Sequence, residues 1–166
     1  DTAGITTEDS SKKFKFIHLN GAHVPYIYDK EMNIINEWDG TYEQSTQATL
    51  FGAMDYVEQL RESGAYDNTT IIVMSDHGFN GSLAQSGDAT WMRQCAMLLV
   101  KGRDEHHDTM QISQAPISFE DLQEAYVRLL DGQQSDSVFD WKEGDARERR
   151  FLRYLSLIHI SEPTRH

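Results

Sequence analysis

A chain of 166 residues, 39% of them hydrophobic, has room for one domain with a core, or for a piece of one, and not for two. The 27 acidic against 15 basic residues give a formal charge of -12, which repels a polyanion and leaves no basic stripe to track phosphates, so nucleic acid is excluded as a partner class. The single cysteine, Cys95, excludes an intrachain disulfide and a Cys-rich zinc site.

Neither a long apolar run suited to a transmembrane helix nor a basic-then-apolar leader is present. The chain starts at Asp1 and reads as an excerpt, so any membrane attachment is expected through segments outside it. The last residues, from Leu155 through Ile158-His159-Ile160 to His166, resemble the translation of a transposon-type sequencing adapter. Residues 155–166 are therefore set apart from the domain, which is expected to occupy residues 1–154.

Residues 1–13 are polar and predict a loop entering the domain. Phe14-Lys15-Phe16-Ile17-His18-Leu19 predicts a short strand, closed by Asn20-Gly21 and followed by a loop carrying His23. From Thr41 to Gly64, Leu50, Phe51, Met54, Val57 and Leu60 recur at three- and four-residue spacing, which predicts a helix with that stripe inward and Gly64 as its stop. Thr69-Thr70-Ile71-Ile72-Val73-Met74 has the β-branched, apolar character of a strand buried on both faces. It runs out into Ser75-Asp76-His77-Gly78.

The Gly-, Ser- and Asp-rich stretch from Phe79 to Arg93 predicts a long loop at the same end. A strand over Cys95–Lys101 follows, then a charged loop over Gly102–Asp108. Pro116 and Ser118-Phe119-Glu120-Asp121 open a helix expected to run through Leu130 to Gly132, and a last short strand is expected near residues 150–154. This order predicts an α/β fold, in which polar residues just past a strand's C-terminal end are where ligands bind.

Asp76-His77-Gly78 is the sharpest chemical signal. A carboxylate and an imidazole side by side at a strand exit can both turn toward one cation if the chain bends, and glycine next in sequence permits the bend. An oxygen donor beside a nitrogen donor suits zinc or manganese better than calcium. The same tripeptide also fits an Asp-capped turn with a bystander histidine. The run Asp104-Glu105-His106-His107-Asp108 has the composition of a metal site but reads better as a solvated turn. Trp91 and Arg93 fit either a substrate flank or a loop anchor.

Thr70-Ile71-Ile72-Val73-Met74-Ser75-Asp76-His77-Gly78 resembles the metal-binding strand of the alkaline phosphatase superfamily, as carried by sulfatase-like enzymes and by phosphoglycerol or phosphoethanolamine transferases. His23-Val24-Pro25-Tyr26 resembles the loop that presents a histidine to the substrate phosphate in the lipoteichoic acid synthase branch, and Ala115-Pro116-Ile117-Ser118 resembles a later helix start. The resemblance covers about residues 14–154. It implies an alkaline-phosphatase-like sandwich with a mainly parallel sheet flanked by helices. It also implies a divalent metal ion, Mn or Zn rather than Ca, held by Asp76 and His77, with His23 as the catalytic and substrate-binding histidine.

The implied activity is hydrolysis or transfer of a phosphate or sulfate ester, on a lipid headgroup or a glycan. It would take place at a Thr or Ser nucleophile upstream of Asp1. The family's members suggest a cell-surface location, membrane-anchored with the catalytic domain outside. Three departures from the pattern stand out. Cys95 is followed by Ala96-Met97-Leu98 and lacks the Cys-x-Pro-x-Arg motif of sulfatases; Ala89 stands where phosphoethanolamine transferases carry a further histidine; and Gln123-Glu124-Ala125 replaces a Pro-Thr often seen after the helix start. A true sulfatase acting on sulfated glycans and a non-catalytic binding domain remain the alternatives.

Overall fold

The computed structural model describes residue 5 and residues 11–78, 96–133, 139 and 141–148. The Phe79–Arg93 loop, Ala89, Trp91, Cys95, the strand expected near 150–154 and the tail from 155 lie outside the described residues. The chain forms two compact units, Asp1–His106 and His107–His166.

The first unit is built on α1 (Tyr42–Glu62), β1 (Ile71–Met74) and β2 (Leu98–Lys101). Helix α1 begins at Thr41, whose hydroxyl accepts the Gln44 N–H at 3.2 Å while the Gln44 side chain accepts the Thr41 N–H at 3.0 Å. Two of the N–H groups left over at a helix start are thereby satisfied reciprocally. The helix ends where Gly64 takes φ 72, and the Ala65 and Gly64 N–H groups return to the Leu60 and Arg61 carbonyls. That left-handed residue is open to glycine without a Cβ penalty.

The face that α1 buries matches the expected stripe only in part: Leu60 is buried and Leu50 and Val57 are partly buried, but Phe51 and Met54 are not. Ser45, Ala48 and Leu60 are buried, whereas Phe51 and Met54 are 58% and 60% exposed. The cause is the loop over residues 21–40, which lies on the small-residue side. A Cβ at Gly21 would stand 1.7 Å from Thr49 Oγ1, and Met32 reaches to within 3.3 Å of where one would stand at Gly52. Small side chains admit so close an approach, and Phe51 and Met54 would not.

Strands β1 and β2 pair antiparallel in the register Ile71↔Lys101 to Met74↔Leu98. This pair is the sheet among the described residues, and an antiparallel pair of this kind also occurs at the edge of a mainly parallel sheet. Residues 12–20, expected to supply a strand at 14–19, join no ladder, and Phe14, Phe16, Ile17 and Leu19 are exposed.

At the end of β2, Lys101 Nζ donates to the Tyr66, Asp67 and Thr69 carbonyls at 2.7, 3.3 and 3.2 Å. The ammonium lies 4.3 Å from the Tyr66 ring centroid, and the Arg61 guanidinium lies 3.9 Å from the same centroid. Partial burial lowers the Lys101 pKa from its ordinary value. The turn between α1 and β1 is thus tied to β2 by a single side chain.

The second unit centres on α2 (Phe119–Leu130). Its buried side carries Asp121, Leu122 and Ala125, while Phe119, Val127 and Leu130 stay exposed. Asp121 Oδ2 accepts from the Ser118 N–H and hydroxyl at 2.7 and 3.1 Å, closing the helix start. At the other end Gly132 has φ 74, and the Gln133 and Gly132 N–H groups close onto the Arg128 and Leu129 carbonyls, as at the end of α1.

Candidate metal-binding site at the exit of strand β1

The antiparallel ladder stops at Met74, and the next residue pair in register is Ser75 with Met97. The Ser75 N–H donates to the Met97 carbonyl at 3.1 Å, and the Met97 N–H donates to the Ser75 hydroxyl oxygen at 2.8 Å. One residue further, Asp76 and His77 leave the sheet toward solvent. Their side chains are 89% and 47% exposed.

The two side chains face one another, with His77 Nε2 3.8 Å from Asp76 Oδ2. His77 Nδ1 lies 2.7 Å from the Gly78 carbonyl oxygen. A carbonyl can only accept, so Nδ1 carries a proton, and whenever the ring is neutral Nε2 offers a lone pair. Backbone carbonyls fix metal-ligating imidazoles in this way. A carboxylate oxygen and a bare imidazole nitrogen at this separation form a donor pair that fits a zinc- or manganese-type cation. The other carboxylate oxygen, Oδ1, accepts the His77 N–H at 3.0 Å, a bond that also belongs to a capped turn. Among the described residues no group of three or more His, Cys, Asp and Glu side chains is placed to hold a metal, so Asp76 and His77 stand as two donors.

His23 lies in the exposed loop ahead of α1. Its Nδ1 is 2.6 Å from the Val24 carbonyl oxygen, which again places the proton on Nδ1 and leaves Nε2 open to solvent. Its hydrogen bonding is with its own loop, not with Asp76 or His77. His18 is exposed, with its ring 6.4 Å from that of Phe16.

The 104–108 loop behaves as a turn. Glu105 Oε2 accepts the Gly102 N–H at 2.6 Å, and the Asp104 N–H donates to the Asp67 carbonyl at 2.8 Å. His106 Nε2 lies 3.7 Å from Asp67 Oδ1. Arg103 donates to the Asn68 side chain, so the loop is tied to the 67–68 turn. Ser75 is the site-adjacent residue that the motif reading passes over. The signal for it was a hydroxyl residue at the end of an apolar strand, where a side-chain oxygen can take over from the backbone carbonyl. Comparison of the chain with protein-family models, with curated proteins and with solved structures finds no match.

Proposed function

We propose that this chain is part of a metal-dependent phosphate- or sulfate-ester hydrolase or transferase. It would belong to the alkaline phosphatase superfamily, in the sulfatase-like or lipoteichoic-acid-synthase-like group. The observation that carries the reading is the Asp76–His77 pair at the exit of a β-branched strand, with Oδ2 and Nε2 turned toward each other at 3.8 Å. The run from Thr70 to Gly78 and the His23-Val24-Pro25-Tyr26 loop give the pair its family context.

In this reading Asp76 and His77 hold a divalent cation, and the Gly78 carbonyl keeps the imidazole in the tautomer that binds it. The bound cation supplies charge neutralisation of the ester and a lowered pKa for a nucleophilic hydroxyl. It also answers the electrostatic objection: a chain of charge -12 attracts an anionic ester only where a cation reverses the local field. His23, in its doubly protonated form, donates Nε2–H to the ester oxygens as charge develops there. Asp76 and His77 bind the cation on their own, with water in its other positions, while the nucleophile and a further acidic donor that tightens the site belong to other parts of the protein, and the ester sits on a lipid headgroup or a glycan.

A second reading, a non-catalytic domain, draws on the bond from the His77 N–H to Asp76 Oδ1, which a plain turn also makes. Titration of the chain with MnCl2 or ZnCl2, followed by calorimetry, separates the two. Saturable binding that is lost in both Asp76→Ala and His77→Ala is expected of the metal site. Binding that is absent, or that survives both substitutions, would overturn it.

A further inference from the structure

We infer that Ser75 is a positioning residue: its hydroxyl, by standing in for its own backbone carbonyl, ends the β1–β2 ladder and sets the direction in which Asp76 and His77 leave the sheet. The inference rests on the proposed metal reading only for what Asp76 and His77 hold.

In the observed register, Ser75 and Met97 occupy the position of a pair that exchanges two backbone hydrogen bonds. One of the two is made, from the Ser75 N–H to the Met97 carbonyl at 3.1 Å. The other is replaced, since the Met97 N–H goes to Ser75 Oγ at 2.8 Å. The Met97 donor is satisfied while the Ser75 carbonyl is released from the ladder, and the peptide joining residues 75 and 76 is free to rotate out of the sheet. Asp76 then turns back far enough for Oδ1 to accept the His77 N–H, and His77 reaches the Gly78 carbonyl.

Without the hydroxyl, the Met97 N–H has two outlets. It can turn to water, which loosens the β1 exit, or it can take the carbonyl of residue 75, which lengthens β1 by one pair. Successive side chains on a strand point to opposite faces, so the second outcome moves the Asp76 carboxylate away from its present direction. In either case the 3.8 Å approach of Asp76 to His77 is lost.

The test uses the full chain, 15N-labelled, with Ser75→Ala and Ser75→Thr, and Mn2+ alone as the probe. In Ser75→Ala the Met97 amide is expected to exchange about tenfold faster, as loss of one hydrogen bond implies. The His77 ring nitrogen signals should shift, and the Mn2+ concentration that half-broadens them should rise by about the same factor. Ser75→Thr, which keeps the hydroxyl, should match the wild type in all three. Met97 exchange and His77 signals that stay at wild-type values in Ser75→Ala overturn the inference, as does a Thr variant that loses as much as the Ala variant. Should Ser75→Ala fail to fold, the near-isosteric pair Ser75→Thr and Ser75→Val gives the same comparison of hydroxyl against methyl. A wild type that Mn2+ does not broaden, with the Met97 and His77 effects intact, removes the metal reading and leaves the positioning role standing.

Discussion

Arg147 Nη2 donates to Asp121 Oδ1 at 2.7 Å, with the Asp121 side chain 4% and the Arg147 side chain 18% exposed. The same guanidinium donates to the Pro116 carbonyl at 3.1 Å and lies 3.8 Å from the Trp141 ring centroid. Asp121 also closes the start of α2 through its other oxygen, so one buried carboxylate joins the helix start to the 141–148 segment. Removing the arginine takes its guanidinium partner from a carboxylate that stays buried. Arg147→Ala is expected to cost about 3 kcal/mol, the low end for breaking a buried pair because some solvent reaches the guanidinium. Arg147→Lys should recover only part of this, since a point charge cannot serve Asp121 and Pro116 through one planar fork. A urea midpoint unchanged in Arg147→Ala would show the pair to be incidental.

Helix α1 offers a direct test of which side faces inward. Ala48 is 2% exposed, whereas Phe51 is 58% exposed. Ala48→Leu should destabilise the first unit by about 1–3 kcal/mol through overpacking, and Phe51→Ala should change stability by no more than about 0.5 kcal/mol. Equilibrium urea unfolding of both variants checks the order. The reverse ranking would put Leu50, Phe51, Met54 and Val57 in a core instead.

That contrast shows what the sequence made legible. The ends of α1 and α2 could be read from Thr41, Gly64, Ser118 and Gly132, because capping is local chemistry that few residues decide. The strands over 71–74 and 98–101 could be read from their apolar, β-branched runs. The buried face of α1 could be read only in part, at Leu60 and less so at Leu50 and Val57, because periodicity identifies an apolar stripe but not the neighbour that comes to lie on the helix. Here that neighbour is a loop that needs the small side, with Gly21 against Thr49 and Met32 against Gly52. Pairing direction was equally hidden, since Ile71-Ile72-Val73-Met74 reads the same in either ladder. At the site, Asp76 and His77 could be named from the motif, while the Ser75 hydroxyl and the Gly78 carbonyl that set their geometry emerge only from coordinates.

Asp29 gives a prediction in pH. Its carboxylate accepts the Asn33 side-chain amide at 3.0 Å and the Asn33 and Glu31 N–H groups at 2.9 and 3.0 Å, and these bonds hold its pKa below the ordinary 3.8, the Asn33 side chain contributing most. A carboxyl whose folded pKa is depressed stabilises its turn fully above the unfolded value, and that contribution is lost as pH falls through the folded one. The Asn33 amide resonance should therefore titrate with a midpoint below 3.8. Asn33→Ala should move the Asp29 midpoint up toward that value. An Asp29 midpoint that Asn33→Ala does not move would remove the side-chain amide as the cause.

The 104–108 loop holds a second histidine–carboxylate pair, and it serves as the internal control for the metal site. His106 Nε2 lies 3.7 Å from Asp67 Oδ1, close to the spacing in the Asp76–His77 pair, so distance alone does not separate the two. What differs is the work the surrounding groups do. Glu105 is committed to the Gly102 N–H, the Asp104 N–H to the Asp67 carbonyl, and Arg103 to Asn68, all of which fasten the loop to the turn that Lys101 also grips. His106→Ala is accordingly expected to leave Mn2+ and Zn2+ binding within about twofold of wild type, while His77→Ala removes it, since a group contributes to binding only by contacts it makes in the bound state. Calorimetric titration of the two variants side by side decides the matter, and a loss of binding in His106→Ala would move the metal centre from the exit of β1 to the far end of β2.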